Sequence, residues 1–93
     1  MRFEWDDAKA AANLRKHGVS FEEAAEVFCD PNASDDYDPE HSDEEARFFI
    51  IGLSSRRMLY VVYAERADDV VRIISARRAS KFERKIYERE RIS

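Results

Sequence analysis

The sequence predicts an α+β fold, and three observations carry that prediction. First, three apolar runs sit close together in the second half: "RFFIIGL" (47–53), "MLYVVYAER" (58–66) and "VVRIISAR" (70–77). They are rich in β-branched and aromatic residues, and only short polar connections (54–57 and 67–69) separate them, which is the pattern of an antiparallel meander. Second, helix-start residues precede and follow these runs, at Asp6 or Asp7, at Ser20 and at Ser80. Third, strands grouped together rather than alternating with helices place the chain in the α+β class.

In chain order, "RFEW" (2–5) reads as a short first strand. Asp6 or Asp7 caps a helix running to about Lys16, and Gly18 stops it. Ser20 and Glu23 have capping-box spacing, with Val19 and Ala24 at staple positions. Phe21, Ala24, Ala25 and Phe28 then recur on one helical face, and Pro31 ends the segment. The two helices make a tight hairpin. Residues 30–46 hold both prolines and a dense run of carboxylates. One edge strand near 33–37 fits there. The acidic spacing lacks the central glycine of a calcium loop, so it reads as a solvated loop rather than a metal site. The three strands follow. A last helix, capped by Ser80 with Glu83 and presenting Phe82 and Ile86, runs to about residue 89 or 90.

All 93 residues, 44% apolar and 39% charged, suit one domain with a modest core, 1–93. No run is long and apolar enough to span a bilayer, and Met1 leads straight into a charged segment without a secretory signal, so a cytoplasmic protein is expected. The single cysteine, Cys29, excludes an internal disulfide and a cysteine-based zinc site, and reads as a small buried apolar residue. No cofactor is implied. The net charge of −4 divides unevenly: residues 1–46 carry −10 and residues 47–93 carry +6. Either the basic half meets a polyanion or the two halves attract each other.

Strand register decides where the arginines go. If Ser54 pairs with Arg57 and Arg66 with Val70, then Arg47 lies opposite Ala64 and Ala64 opposite Arg72. This gathers Arg47, Arg66 and Arg72 on one face and puts Tyr63, Glu65, Ser75 and Arg77 on the other. Like charges so close need an anion or carboxylate among them. The guest is either a phosphate, which guanidinium forks bind bidentately, or local acids such as Glu65, Asp68 and Asp69.

The stretches "FEWDDAKAAANLRKHGVSFEEAAEVFCDP", "HSDEEARFFIIGLSS" and "YAERADDVVRIISARRASKFERKIYE" together resemble the BrnT family of type II toxins. The resemblance covers nearly the whole chain and is most specific in "KHGVSFEEA" and "RIISARRAS". It implies a RelE-like fold of the RelE/ParE superfamily, a ribonuclease toxin that inhibits translation and growth, and a BrnA-type antitoxin partner with a ribbon-helix-helix part. It further implies that promoter DNA is bound only through the complex. The phase of the acids in "HSDEEARF" and the longer turn in "ERADDVVRI" depart from the family pattern.

Metal-free RNA cleavage by the neighbouring 2′-hydroxyl needs a base, an acid and cations for the charge on phosphorus oxygens. By the resemblance, such enzymes use arginine, lysine and tyrosine. The expected catalytic set is Arg47, Arg66, Arg72 and Arg77 for phosphate charge, Tyr87 to orient or transfer a proton, and Glu65 as base. Arg56, Arg57, Arg78 and Lys81, with Arg84 and Lys85 beside them, are expected to hold RNA or an acidic antitoxin segment, or else are solvated charges. His17, at a helix C-terminus, reads first as a structural cap. His41, in the acidic loop, is either a proton donor or a solvated imidazole. Ser75 has no histidine partner for a triad. The alternative function is a catalytically inactive RelE-like module that binds nucleic acid or protein.

Overall fold

The computed structural model describes residues 1–41 and 45–92. The order is β1 (Arg2–Glu4), α1 (Asp7–His17), α2 (Phe21–Glu26), a 3₁₀ turn (Val27–Cys29), β2 (Ser34–Tyr37), a second 3₁₀ turn (Pro39–His41), β3 (Phe48–Leu53), β4 (Met58–Arg66), β5 (Val70–Arg78) and α3 (Lys81–Ile92). The predicted α+β architecture is present. One five-stranded sheet has the spatial order β1-β5-β4-β3-β2, antiparallel except for β1 against β5.

The caps fall where the sequence places them. Asp6 accepts a bond from Lys9 N–H, and Gly18 closes α1 at φ 68°, a left-handed conformation that suits glycine. Ser20 accepts from Glu23 N–H. The expected capping box of α2 is only half made, because the Glu23 carboxylate turns to other partners. That of α3 is complete: Ser80 Oγ accepts from Glu83 N–H and Glu83 accepts from Ser80 N–H.

Both faces of the sheet are covered. Val19, Phe21, Ala24 and Val27 from the helical hairpin pack on Ile50, Leu59, Val61, Tyr63, Val71, Ile73 and Ala76. On the second face, α3 seals Ile51 and Met58 with Tyr87 and Ile86. The Tyr87 hydroxyl donates to Asp30 (2.8 Å), whose carboxylate also accepts from Leu53 N–H. Close approach at Gly52 permits this junction, since a Cβ there would lie 2.7 Å from Val27 and 3.0 Å from Ala33. Phe82, expected in the apolar stripe, is instead 73% exposed. Cys29 is also exposed, against expectation, because the 3₁₀ turn after α2 shifts the helical phase of the residues that follow.

Two polar clamps fix the hairpin to the sheet. β1 pairs with β5 only as far as Arg72, which leaves the edge of β5 open beyond it. Buried Asn13 takes the missing strand's place there. Its Nδ2 donates to the carbonyls of Ala76 (2.8 Å) and Val19 (2.9 Å), and its Oδ1 accepts from Ala76 N–H (3.1 Å). The second clamp is Arg57, whose Nε and Nη2 bond both oxygens of Glu23 and whose Nη2 also reaches Gly18 O. Ser54 Oγ donates to the same carboxylate. Arg57, expected to hold RNA, thus ties the β3–β4 turn to the start of α2. The bond from Arg57 outweighs burial and holds the Glu23 carboxyl below the usual carboxylate range.

Asn13→Ala strands the buried Ala76 amide and the Val19 carbonyl, each a loss of about 1–3 kcal/mol when unpaired. Chemical denaturation is expected to show the lower stability as a reduced midpoint with little change in slope. Glu23 contributes stability that is full above its unfolded value of about 4.3 and is lost as pH falls through its lower folded value. The thermal midpoint of Glu23→Gln is therefore expected to lie below that of the wild type at neutral pH, with the gap narrowing below about pH 4.

Candidate active-site groove

The hairpin registers are those expected: Phe48 faces Tyr63, Ala64 faces Arg72, and Arg66 faces Val70. The β4–β5 pairing then shifts between Val62 and Tyr63, so that Tyr63 faces Ile73 while Val62 faces Ser75. Ile74 is the extra residue of a β-bulge. A bulge reverses which side chains point to which face. Ser75 and Arg77 therefore move to the side of Val62 and Tyr60, away from the helical hairpin. Arg77, expected on the face opposite Arg47, shares its face.

A cavity of about 440 Å³ lies on this side, lined by Arg47, Tyr60, Val62, Ser75 and Arg77, with Glu40, Glu83 and His17 around it. Tyr60 in this lining stacks on Phe49, with ring centres 5.4 Å apart. The Arg77 guanidinium lies 4.3 Å above the Tyr60 ring, a cation–π contact. Arg77 Nη1 and Nη2 donate to the two oxygens of Glu83, both at 2.8 Å, and Nη1 also reaches Arg78 O. These bonds leave the Nε–H and one Nη2–H of Arg77 uncommitted among the described residues, a side-on fork of the kind that takes two phosphate oxygens. Burial opposes the Glu83 charge, but the bonds from Arg77 and Ser80 outweigh it and hold its carboxyl below the usual range. Burial, with the charges of Asp38 and Glu83, pushes the Tyr60 hydroxyl above its ordinary value. It is therefore a hydrogen-bond donor at neutral pH rather than a base.

The other expected residues divide. Arg66 and Arg72 share the face of Arg47 and Arg77 but lie toward the β4–β5 turn. Arg66 lines a separate depression with Arg2 and Glu4, and pairs with Glu45 (3.4 Å) and more loosely with Glu4 (3.7 Å). Among the described residues, Arg77 thus meets Glu83, and Arg66 meets Glu45 and Glu4. Glu65 faces Val71 on the hairpin side and lines a different depression with Asp35 and Tyr63, so it cannot act as base in the groove. Tyr87, 1% exposed and bonded to Asp30, points from α3 onto Ile51 and Met58 of the sheet and does not line the groove. Arg78 faces Leu59, also on the hairpin side, while Arg56 and Lys81 are exposed outside the groove. The His41 side chain lies outside the described residues. His17, read from the sequence as a cap, lines the groove. Sequence reasoning also missed Tyr60, Glu40 and Glu83 as groove residues. The capping-box spacing of Glu83 was visible, but its second role required the position of Arg77.

The family model described as "Ribonuclease toxin, BrnT, of type II toxin-antitoxin system" matches residues 5–83. The chain is also similar to the Brucella abortus ribonuclease toxin BrnT, known from a 1.1 Å crystal structure, with a TM-score of 0.64 and 25% identity over 87% of this chain and 99% of that one. No curated protein sequence matches. With a family match that spans the helical hairpin, strands β2 to β5 and the start of α3, and a solved BrnT structure of similar fold, the chain belongs to the BrnT family of ribonuclease toxins of type II toxin-antitoxin systems.

Proposed function

We propose that this protein cleaves RNA in the groove between Arg47 and Arg77, without a metal ion, and that a BrnA-type antitoxin neutralises it by covering the same face. The observation that carries the reading is the bulge at Ile74, which brings Arg77 beside Tyr60 in the cavity that Arg47 also lines. The site thus offers cationic forks for a phosphate, one of them braced against the Tyr60 ring. In the proposed reaction the 2′-hydroxyl attacks the adjacent phosphorus, and Arg47 and Arg77 stabilise the charge that gathers on the non-bridging oxygens. Glu83 keeps the Arg77 plane fixed before substrate arrives, so little reorganisation is needed. Arg66 and Arg72 extend the basic face along the path of the strand and would hold flanking phosphates. An antitoxin segment bearing carboxylates meets the same charges as RNA does, so it would compete by occlusion.

The expected outcome is cleavage of RNA by the purified protein in EDTA, and a loss on the order of 10²–10³ in rate for Arg77→Ala. The same variant is expected to lose about 1 kcal/mol or less of stability, because the Glu83 pair is partly exposed. No cleavage by folded wild-type protein in any buffer would instead favour a binding module. Full activity of Arg77→Ala would remove the groove from the mechanism.

A further inference from the structure

We infer that His17 is a catalytic residue of this groove, the general acid that protonates the departing 5′-oxygen; the inference rests on the ribonuclease reading above. His17 is the last residue of α1, half-buried, and it lines the same cavity as Arg47 and Arg77. Its placement is fixed from two sides. Gly18 closes the helix directly after it, with its N–H bonded to Leu14 O. One turn earlier, the bonds of Asn13 to Ala76 lock α1 to the strand residue next to Arg77. The end of α1 that carries His17 and the strand that carries Arg77 are thus held in register through one buried amide.

The other groups that face this groove are poorly suited to donating a proton near neutrality. From β5 and the start of β3 come Arg77 and Arg47, which stay charged. From β4 comes Tyr60, whose hydroxyl is pushed above its ordinary value. From α3 comes Glu83, held as a carboxylate by Arg77. Glu40 enters from the second 3₁₀ turn, and Lys16 precedes His17 on its own helix. Imidazole is the side-chain type that exchanges protons between pH 5 and 8. In the step assigned here, the 2′-oxygen forms a bond to phosphorus and loses its proton to solvent water. The bond from phosphorus to the 5′-oxygen breaks, and its electron pair takes the Nε2 or Nδ1 proton of the imidazolium. The products are a 2′,3′-cyclic phosphate and a 5′-hydroxyl, and solvent returns the proton to His17.

The test compares two RNA oligonucleotides, one normal and one with sulfur in place of the scissile 5′-oxygen. A thiolate leaves without protonation, so it bypasses a missing acid. His17→Gln is expected to slow cleavage of the normal oligonucleotide on the order of 10²-fold or more. It is expected to cleave the sulfur-substituted one at close to the wild-type rate, and to bind a 2′-deoxy analogue as the wild type does. His17→Asn serves as a second variant should glutamine disturb the helix end. Equal losses on both oligonucleotides would show a structural role and overturn the inference. Unchanged cleavage of the normal oligonucleotide would overturn it too, while leaving the ribonuclease reading intact. If the wild type cleaves neither, the ribonuclease reading itself fails and this inference with it.

Discussion

The groove depends on one irregularity in an otherwise regular sheet, the extra residue at Ile74, and on the amide that holds the strand just after it. A bulge loosens the ladder and adds twist, so the strand beyond it needs another restraint. β1 cannot supply one, because it ends at Arg72. Asn13 does, presenting a donor and an acceptor to Ala76 as a neighbouring strand would. The same side chain bonds the Val19 carbonyl at the junction of the two helices. Hairpin, bulge and groove are therefore one mechanical unit. Displacing Asn13 would free the β5 edge, the end of α1 and the setting of Arg77 together.

Charge in this protein is organised more than it is exposed. The halves of opposite sign do attract each other, as Arg57 with Glu23 and Arg66 with Glu4 and Glu45. Within the basic half, Arg77 pairs with Glu83. These pairs differ in purpose by their burial. Glu23 is almost fully buried, and Arg57 is its necessary counter-charge. Arg66 and its acids are near the surface, where ion pairs contribute little and open readily. Arg77 is intermediate: its end-on fork is fixed while its side-on fork stays available. A polyanion approaching this face meets cations already oriented, and it need not break the pair that orients them.

Much of the fold was legible because its signals are local. The caps at Asp6, Ser20 and Ser80, the stop at Gly18 and the short strand connections each act within a few residues, and they set the hairpin registers correctly. The errors arise where a distant contact overrides local phase. Nothing in "RIISA" marks a bulge; no glycine is present, and the alternation of the strand simply restarts one residue late. One misplacement follows from it: Arg77, expected on the face of Glu65, crosses to the face of Arg47, while Glu65 stays on the hairpin side as expected. Among the described side chains of α3, the inward stripe is Glu83, Ile86 and Tyr87, not Phe82 and Ile86. The sequence shows the Glu83 carboxylate only as the capping partner of Ser80; its second bond needs the position of Arg77. His17 was legible as a helix end, but its reach into the groove depended on α1 passing the open edge of β5.

The most direct test of this account is to observe which side chains meet a phosphate backbone. In an NMR titration of the protein with a non-cleavable 2′-O-methyl RNA, the arginine Nε–H signals of Arg47 and Arg77 and the ring signals of Tyr60 and His17 are predicted to shift together and saturate at one concentration. Arg57 and Arg78, bound to or facing the hairpin side, are predicted to stay unchanged. Saturable shifts at Arg78 and Glu65 with none at Arg77 would place the nucleic acid on the other face and contradict the role given to the bulge.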